Sequence, residues 1–185
     1  MKRVTIAAGA GATAVLAAVV LAGIPIQAQT AANPVSDAIR ATWDGAKKNI
    51  KDSTTIAEAT QAIFDFKPVD SVRTYGQIVA HVAGANYEFC AAAKGEKAPN
   101  SEAAFEKLTN KAEIAKAWDG SVAYCDAVYK ALTDRTAGAE IDMPFNMGKA
   151  PRARPLIMNA GHLNEHYGNL VTYMRIKGIV PPTSR

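Results

Sequence analysis

The sequence predicts an all-α protein, most simply a four-helix bundle with up-down-up-down topology. Four long segments repeat apolar residues at spacings of three and four, and no segment alternates with the period of a strand. The chain of 185 residues has room for one domain with a proper core, and it contains no internal repeat.

The first stretch stands apart from that bundle. Lys2 and Arg3 precede an Ala/Val/Leu/Gly run from Val4 to Ile24, followed by Pro25 and Ile26-Gln27-Ala28. A basic start, an apolar middle and a small residue at the cut describe a signal peptide over residues 1–28. The run is also long enough to serve as an uncleaved anchor. Cleavage after Ala28 leaves 29–185 as the bundle domain, periplasmic or secreted, with no membrane attachment. Losing Lys2 and Arg3 takes the formal charge from +4 to +2. With no Lys/Arg cluster interleaved with aromatics, nucleic acid is not an expected partner.

Val35, Ile39, Trp43, Ala46 and Ile50 mark a first helix over about 34–52, with a shorter piece extending it through Gln61. Phe64 to Asp70, with Pro68, reads as a loop. Ser71 can cap a second helix of about 72–94, whose stripe runs Tyr75, Ile78, Val82, Ala85 and Phe89 and which stops near Gly95. A loop with Pro99 and a short helical piece over about 102–108 follow. Thr109 or Asn110 starts a third helix to about Thr133, burying Ile114, Trp118, Val122, Cys125, Val128 and Leu132. Residues 134–150 read as a long loop with a short extended piece at Ile141 to Phe145. The fourth helix runs from about Arg152 to Lys177, with Pro155 in its first turn and Gly178 past its end. Trp43 and Trp118 read as core, and Lys47, Lys48 and Lys51 as a solvated face.

The chain has three histidines, and His162 and His166 lie four apart on the fourth helix. Residues so spaced share one helix face, which makes His-x-x-x-His a recurrent metal-ligand pair. If the second and fourth helices run parallel, His81 falls within about one turn of the same height. Each histidine taken alone also fits an ordinary structural role. Three neutral imidazoles leave a divalent ion its full charge and an open position for water or substrate. Zinc is the default occupant, with nickel, iron or copper also suited to imidazole. Asn159, Glu165 and Tyr173 lie within helical reach of the pair and are the expected groups orienting its rings. His162-Leu-Asn-Glu-His166 also spells H-x-x-E-H with Glu165 as a general base, but no acidic residue follows to complete that site.

Two segments, Arg73-Thr-Tyr-Gly-Gln-Ile-Val-Ala-His81 and His162-x-x-x-His166-x-Gly168-x-Leu170-x-x-Tyr173-x-Arg175-x-x-Gly178-x-x-Pro181-Pro182, resemble the DinB-like family of helical-bundle metalloproteins. The resemblance covers essentially the whole mature chain. It implies one divalent metal held by His81, His162 and His166, in a family that includes metal-dependent thiol S-transferases and a maleylpyruvate isomerase. Tyr167 and Asn169 stand where that family often has Arg and Gln. The functional expectation is a metal-dependent transferase or hydrolase acting on a small molecule. The alternatives are a noncatalytic metal-binding or sensing bundle and a metal-free structural bundle. No catalytic residue is singled out, and dimerisation is left open.

Export favours a disulfide between Cys90 and Cys125. Tightly joined antiparallel helices would instead leave the sulfurs roughly 15 Å apart along the axis. The sixteen-residue connection allows the third helix to slide, so both outcomes stay open.

Overall fold

Most of the long helices begin where a side chain can satisfy their first free N–H groups. The computed structural model describes residues Asn33–Arg185, so the expected signal peptide lies outside the described residues. Helix α1 (Pro34–Thr55) carries proline in its first turn. The Asp134 carboxylate, far along the chain, accepts from the backbone N–H groups of Val35 (3.2 Å) and Ser36 (2.7 Å). After the short α2 (Gln61–Phe64), helix α3 (Tyr75–Lys94) starts at Thr74 rather than Ser71. Thr74 has a glutamine three residues on: its hydroxyl accepts from Gln77 N (3.1 Å), and Gln77 Oε1 accepts from Thr74 N (2.8 Å). That reciprocal pair selects the start. Gly95, at φ 80°, closes α3 in a conformation other residues rarely adopt.

A short α4 (Glu102–Phe105) precedes α5 (Lys111–Ala131), which Asn110 caps through Ala112 N and Glu113 N. Then come α6 (Asp134–Ala137), strands β1 (Glu140–Asp142) and β2 (Lys149–Pro151), and α7 (Ala153–Ile176). The single extended piece expected at 141–145 is instead the first arm of an antiparallel hairpin, with Ile141 opposite Ala150. Phe145 and Asn146, at φ 56° and 57°, make the turn between the arms.

The topology corrects the up-down-up-down expectation. Along α3 and α5 the contacts advance together: Asn86 Nδ2 donates to Ser121 Oγ (3.0 Å), and one turn on Cys90 and Cys125 form a disulfide with Cα atoms 5.5 Å apart. These helices are therefore parallel. The contacts of α3 with α7 run in opposite directions, from Tyr173 Oη donating to Arg73 O (2.9 Å) at one end to Asn159 beside Cys90 Sγ (3.8 Å) at the other. Lys51 pairs with Asp119 and Lys47 with Asp126, so α1 and α5 are antiparallel. The order is up-down-down-up, and the second and fourth helices oppose one another.

The cause is the connection between α3 and α5, which doubles back along α3. Glu102 lies against Gly84, Glu106 pairs with Arg73, and the Thr109 carbonyl accepts from Gln61 Nε2 (3.0 Å). A Cβ on Gly84 would collide with the Glu102 backbone, so only glycine permits that approach. This return also resolves the cysteine question, since parallel helices bring Cys125 level with Cys90.

Helix α3 is buried on nearly every side, packed by α4, α5 and α7. Its alanines let its neighbours close in, and Trp43, Ile50, Trp118, Leu163 and Leu170 fill the core around it. Trp43 stacks on Tyr129 at 4.6 Å and donates its Nε1–H to Asp126 Oδ1 (2.7 Å). Lys47 and Lys51 are not merely a solvated face, because their ion pairs join α1 to α5. Ile50 is fully buried, and Ile50→Ala is expected to cost about 2–5 kcal/mol in denaturant unfolding. Among the described residues, no helix is long and apolar enough to cross a membrane.

Candidate metal centre

His81 sits in the buried second turn of α3, and His162 and His166 occupy successive turns of α7. Because α3 and α7 are antiparallel, the level of His81 meets the middle of α7. The rings converge, though not by the parallel alignment the sequence suggested. His81 Nε2 lies 3.1 Å from His162 Nε2, and His166 Nε2 lies 3.0 Å from it. The three rings offer one nitrogen each within 4.8 Å of one another.

The surroundings govern where the protons sit. His81 Nδ1 faces carboxylates, 2.8 Å from Glu102 Oε1 and 3.4 Å from Glu106 Oε1. Glu106 is itself bound by Arg73, whose Nη2 and Nε lie 2.5 and 3.2 Å from its Oε1. His81 Nδ1 is buried and makes no aligned hydrogen bond to either carboxylate, but their charge beside it favours a proton on that nitrogen, which leaves Nε2 as a lone pair. On His166, Nδ1 lies 3.2 Å from Asn169 Nδ2, an amide nitrogen that donates, so this contact keeps the lone pair on Nδ1. Only with the amide turned to present Oδ1 does it leave Nε2 free as on His81. His162 Nδ1 is buried with no hydrogen-bond partner among the described residues.

Burial, helped by the adjacent His166 and His81, holds the His162 imidazole down to about 3. Burial and then His81 hold His166 down to about 4. His81 is lowered by burial and by the Arg73 charge, which outweigh the pull of Glu106. All three rings are therefore neutral near pH 7, the form that binds metals. At 3.0–3.1 Å each Nε2 pair is an N–H···N hydrogen bond when one ring carries its proton there. With all three lone pairs turned inward it is a repulsive contact that a positive ion between them relieves. Nitrogens around a tetrahedral zinc, with bonds of roughly 2.0–2.1 Å, stand about 3.3 Å apart. The observed spacing is close to that, so the donor set fits a divalent ion.

A cleft of about 550 Å³ opens beside His166, lined by Arg73, Ile78, Asn169 and Tyr173, with Ser71 and Val72 among its other walls. It gives small molecules access to the histidine cluster from one side.

The sequence of this chain is matched over residues 48–170 by the family model of the DinB superfamily. The chain belongs to the DinB superfamily. A DinB-like protein from Bacillus cereus ATCC 10987 shares its fold with a TM-score of 0.64 at 17% identity, over 79% of this chain and 95% of that one. YfiT from Bacillus subtilis, described as a probable metal-dependent hydrolase with an unusual four-helix bundle topology, superposes with a TM-score of 0.60 at 15% identity, over 82% and 92%. The mycothiol-dependent maleylpyruvate isomerase aligns with a TM-score of 0.59 at 17% identity, over 73% of this chain and 60% of its own length. No curated protein sequence matches.

Within this DinB-superfamily bundle the expected ring-orienting residues fare unequally. Asn159 serves the disulfide, its Nδ2 lying 3.8 Å from Cys90 Sγ and 3.9 Å from Cys125 Sγ. One turn before His162, that face of α7 meets sulfur first. Glu165 is exposed and touches the rings only through its charge, which raises His81 and His166. Tyr173 lines the cleft, but its hydroxyl is committed to the Arg73 carbonyl. Glu102, Glu106 and Asn169 hold the positions that Asn159 and Glu165 were expected to hold. Their signals were an i,i+4 carboxylate pair on the short 102–108 segment and an amide three residues after His166. The 134–150 loop does not line the cleft. Its Phe145 packs edge-on against Phe89 (5.5 Å), which in turn packs against His162 (6.0 Å).

Two substitutions test this arrangement. Glu102→Gln is expected to weaken divalent-metal affinity by about 10–100-fold in a competition titration, because Nδ1 of His81 loses its carboxylate. Gly84→Ala is expected to do the same from a distance by lifting α4 off α3, with a lowered melting temperature as its second signature.

Proposed function

We propose that this protein is a metal-dependent transferase or hydrolase acting on a small electrophilic molecule, with one divalent ion held by His81, His162 and His166. The observation that carries this reading is the convergence of three neutral imidazole nitrogens beside an open cleft. Zinc is the first choice, with nickel or iron as alternatives for an imidazole set. When bound, such an ion polarises a substrate oxygen or makes a water acidic enough to attack near pH 7.

The chain's own residues supply the rest. Glu102 places its carboxylate 2.8 Å from His81 Nδ1, where its charge favours a proton on that nitrogen and leaves Nε2 free for the ion. Asn169 holds the edge of His166 that faces the cleft. Arg73 lines the cleft wall, but its guanidinium is paired with Glu106, so it anchors that carboxylate beside His81 rather than presenting a free charge to substrate. Tyr173 acts as a wall rather than a proton donor, because its hydroxyl proton is given to Arg73 O. The structural likeness to YfiT supports the hydrolase side of the reading. The Cys90–Cys125 disulfide and the leader-like residues 1–28 support an exported protein.

The test is an assay of zinc-, nickel- and iron(II)-loaded protein against small esters, lactones and amides, and against alkyl halides with a low-molecular-weight thiol. Saturable turnover that disappears in His162→Ala and on chelation is the expected result. A stoichiometric metal with no turnover above that of the free ion, across the whole panel, supports the noncatalytic binding module instead.

A further inference from the structure

A second pocket lies apart from the histidines, between the C-terminal turns of α3 and α5 and the start of α7. It has a volume of about 140 Å³ and is partly open to solvent, with Ala93, Ala127, Val128, Leu132 and Leu156 among its apolar walls. An apolar cavity of roughly this size accepts a benzene ring.

One wall of this pocket is charged and unsatisfied. The Arg152 guanidinium makes no ion pair or side-chain hydrogen bond among the described residues, and its Nε is buried without a partner. Lys94, the other cation at the pocket, is taken: its Nζ pairs with Glu96 Oε1 (2.8 Å), and Tyr124 donates to the same oxygen (2.6 Å). A buried donor on a cation without an acceptor is costly, and a guanidinium fork matches a carboxylate.

We propose that this pocket binds a small apolar monoanion, a single ring or short branched chain bearing one carboxylate. The hydrocarbon body lies against the alanine-rich wall between α3 and α5, and the carboxylate accepts from Arg152. The site is independent of the metal centre, because none of the three histidines lines it.

Benzoate is the probe, titrated calorimetrically into wild-type protein, Arg152→Ala and His162→Ala, with benzyl alcohol as the uncharged comparison. Saturable benzoate binding is expected in wild type and unchanged in His162→Ala. It should weaken by at least about tenfold in Arg152→Ala, the usual consequence of losing a charge-assisted pair. Benzyl alcohol should bind wild type and Arg152→Ala alike. Equal benzoate affinity in wild type and Arg152→Ala would overturn the proposal. So would its loss in His162→Ala, which would place the ligand at the histidines, or an absence of saturation in wild type by about 50 mM.

Discussion

Replacing His162 with alanine is expected to weaken divalent-metal binding by a hundredfold or more, about the upper end of what losing a mere orienting group costs. His162 is the central member of the trio, since its Nε2 touches those of both His81 and His166. His81→Ala should come close to the same loss, because it removes the only imidazole not on α7. The two remaining α7 histidines then form an ordinary i,i+4 pair, which binds metal weakly. Competition against a chromophoric chelator measures both affinities. A surface pair acting alone would show His81→Ala indistinguishable from wild type. Folding need not suffer in either variant: uncrowding buried rings that lack full hydrogen bonding can leave the metal-free protein as stable as before, which circular dichroism melting checks.

The second large effect concerns the disulfide. Cys90 and Cys125 close a loop with a sequence separation of 35, and the loop contains the whole returning connection that carries Glu102. The chain-entropy relation gives about 3–4 kcal/mol for a loop of that length. In a domain of this size, that corresponds to a melting point lower by roughly 10 °C. A Cys90→Ala/Cys125→Ala double variant, or the wild type kept reduced, should show this drop in thermal unfolding. It should also bind metal less tightly, because α4 is held against α3 within the same loop. Alkylation followed by mass measurement should find no free thiol before reduction and two after it. A double variant melting with wild type would show that the bridge contributes nothing to the fold.

Much of this molecule was legible in the sequence, and the illegible parts share one origin. Apolar stripes identify α1, α3, α5 and α7, because each buries a face whose period is set by the helix itself. The histidine trio is legible for the same reason in α7, where four-residue spacing fixes two rings on one side. Chain direction is different. A connection of sixteen residues reads alike whether it hangs as a loop or returns along the bundle. The return depends on Gly84 admitting the backbone of Glu102, a contact between residues eighteen apart that no local pattern reveals. Everything downstream of that contact was correspondingly hidden. Parallel α3 and α5, the level cysteines and the carboxylates behind His81 all follow from it. Asn159 fails as a ring partner on the same account, because parallel packing places the disulfide beneath it.

The measurement that bears most directly on the central claim is a crystal structure of metal-loaded protein, with anomalous scattering recorded at the absorption edge of the bound ion. One peak per chain is expected, bonded to Nε2 of His81, His162 and His166, with Glu102 still beside Nδ1 of His81. A peak elsewhere, or a His81 ring turned toward Glu102 and away from the other two, would contradict the account.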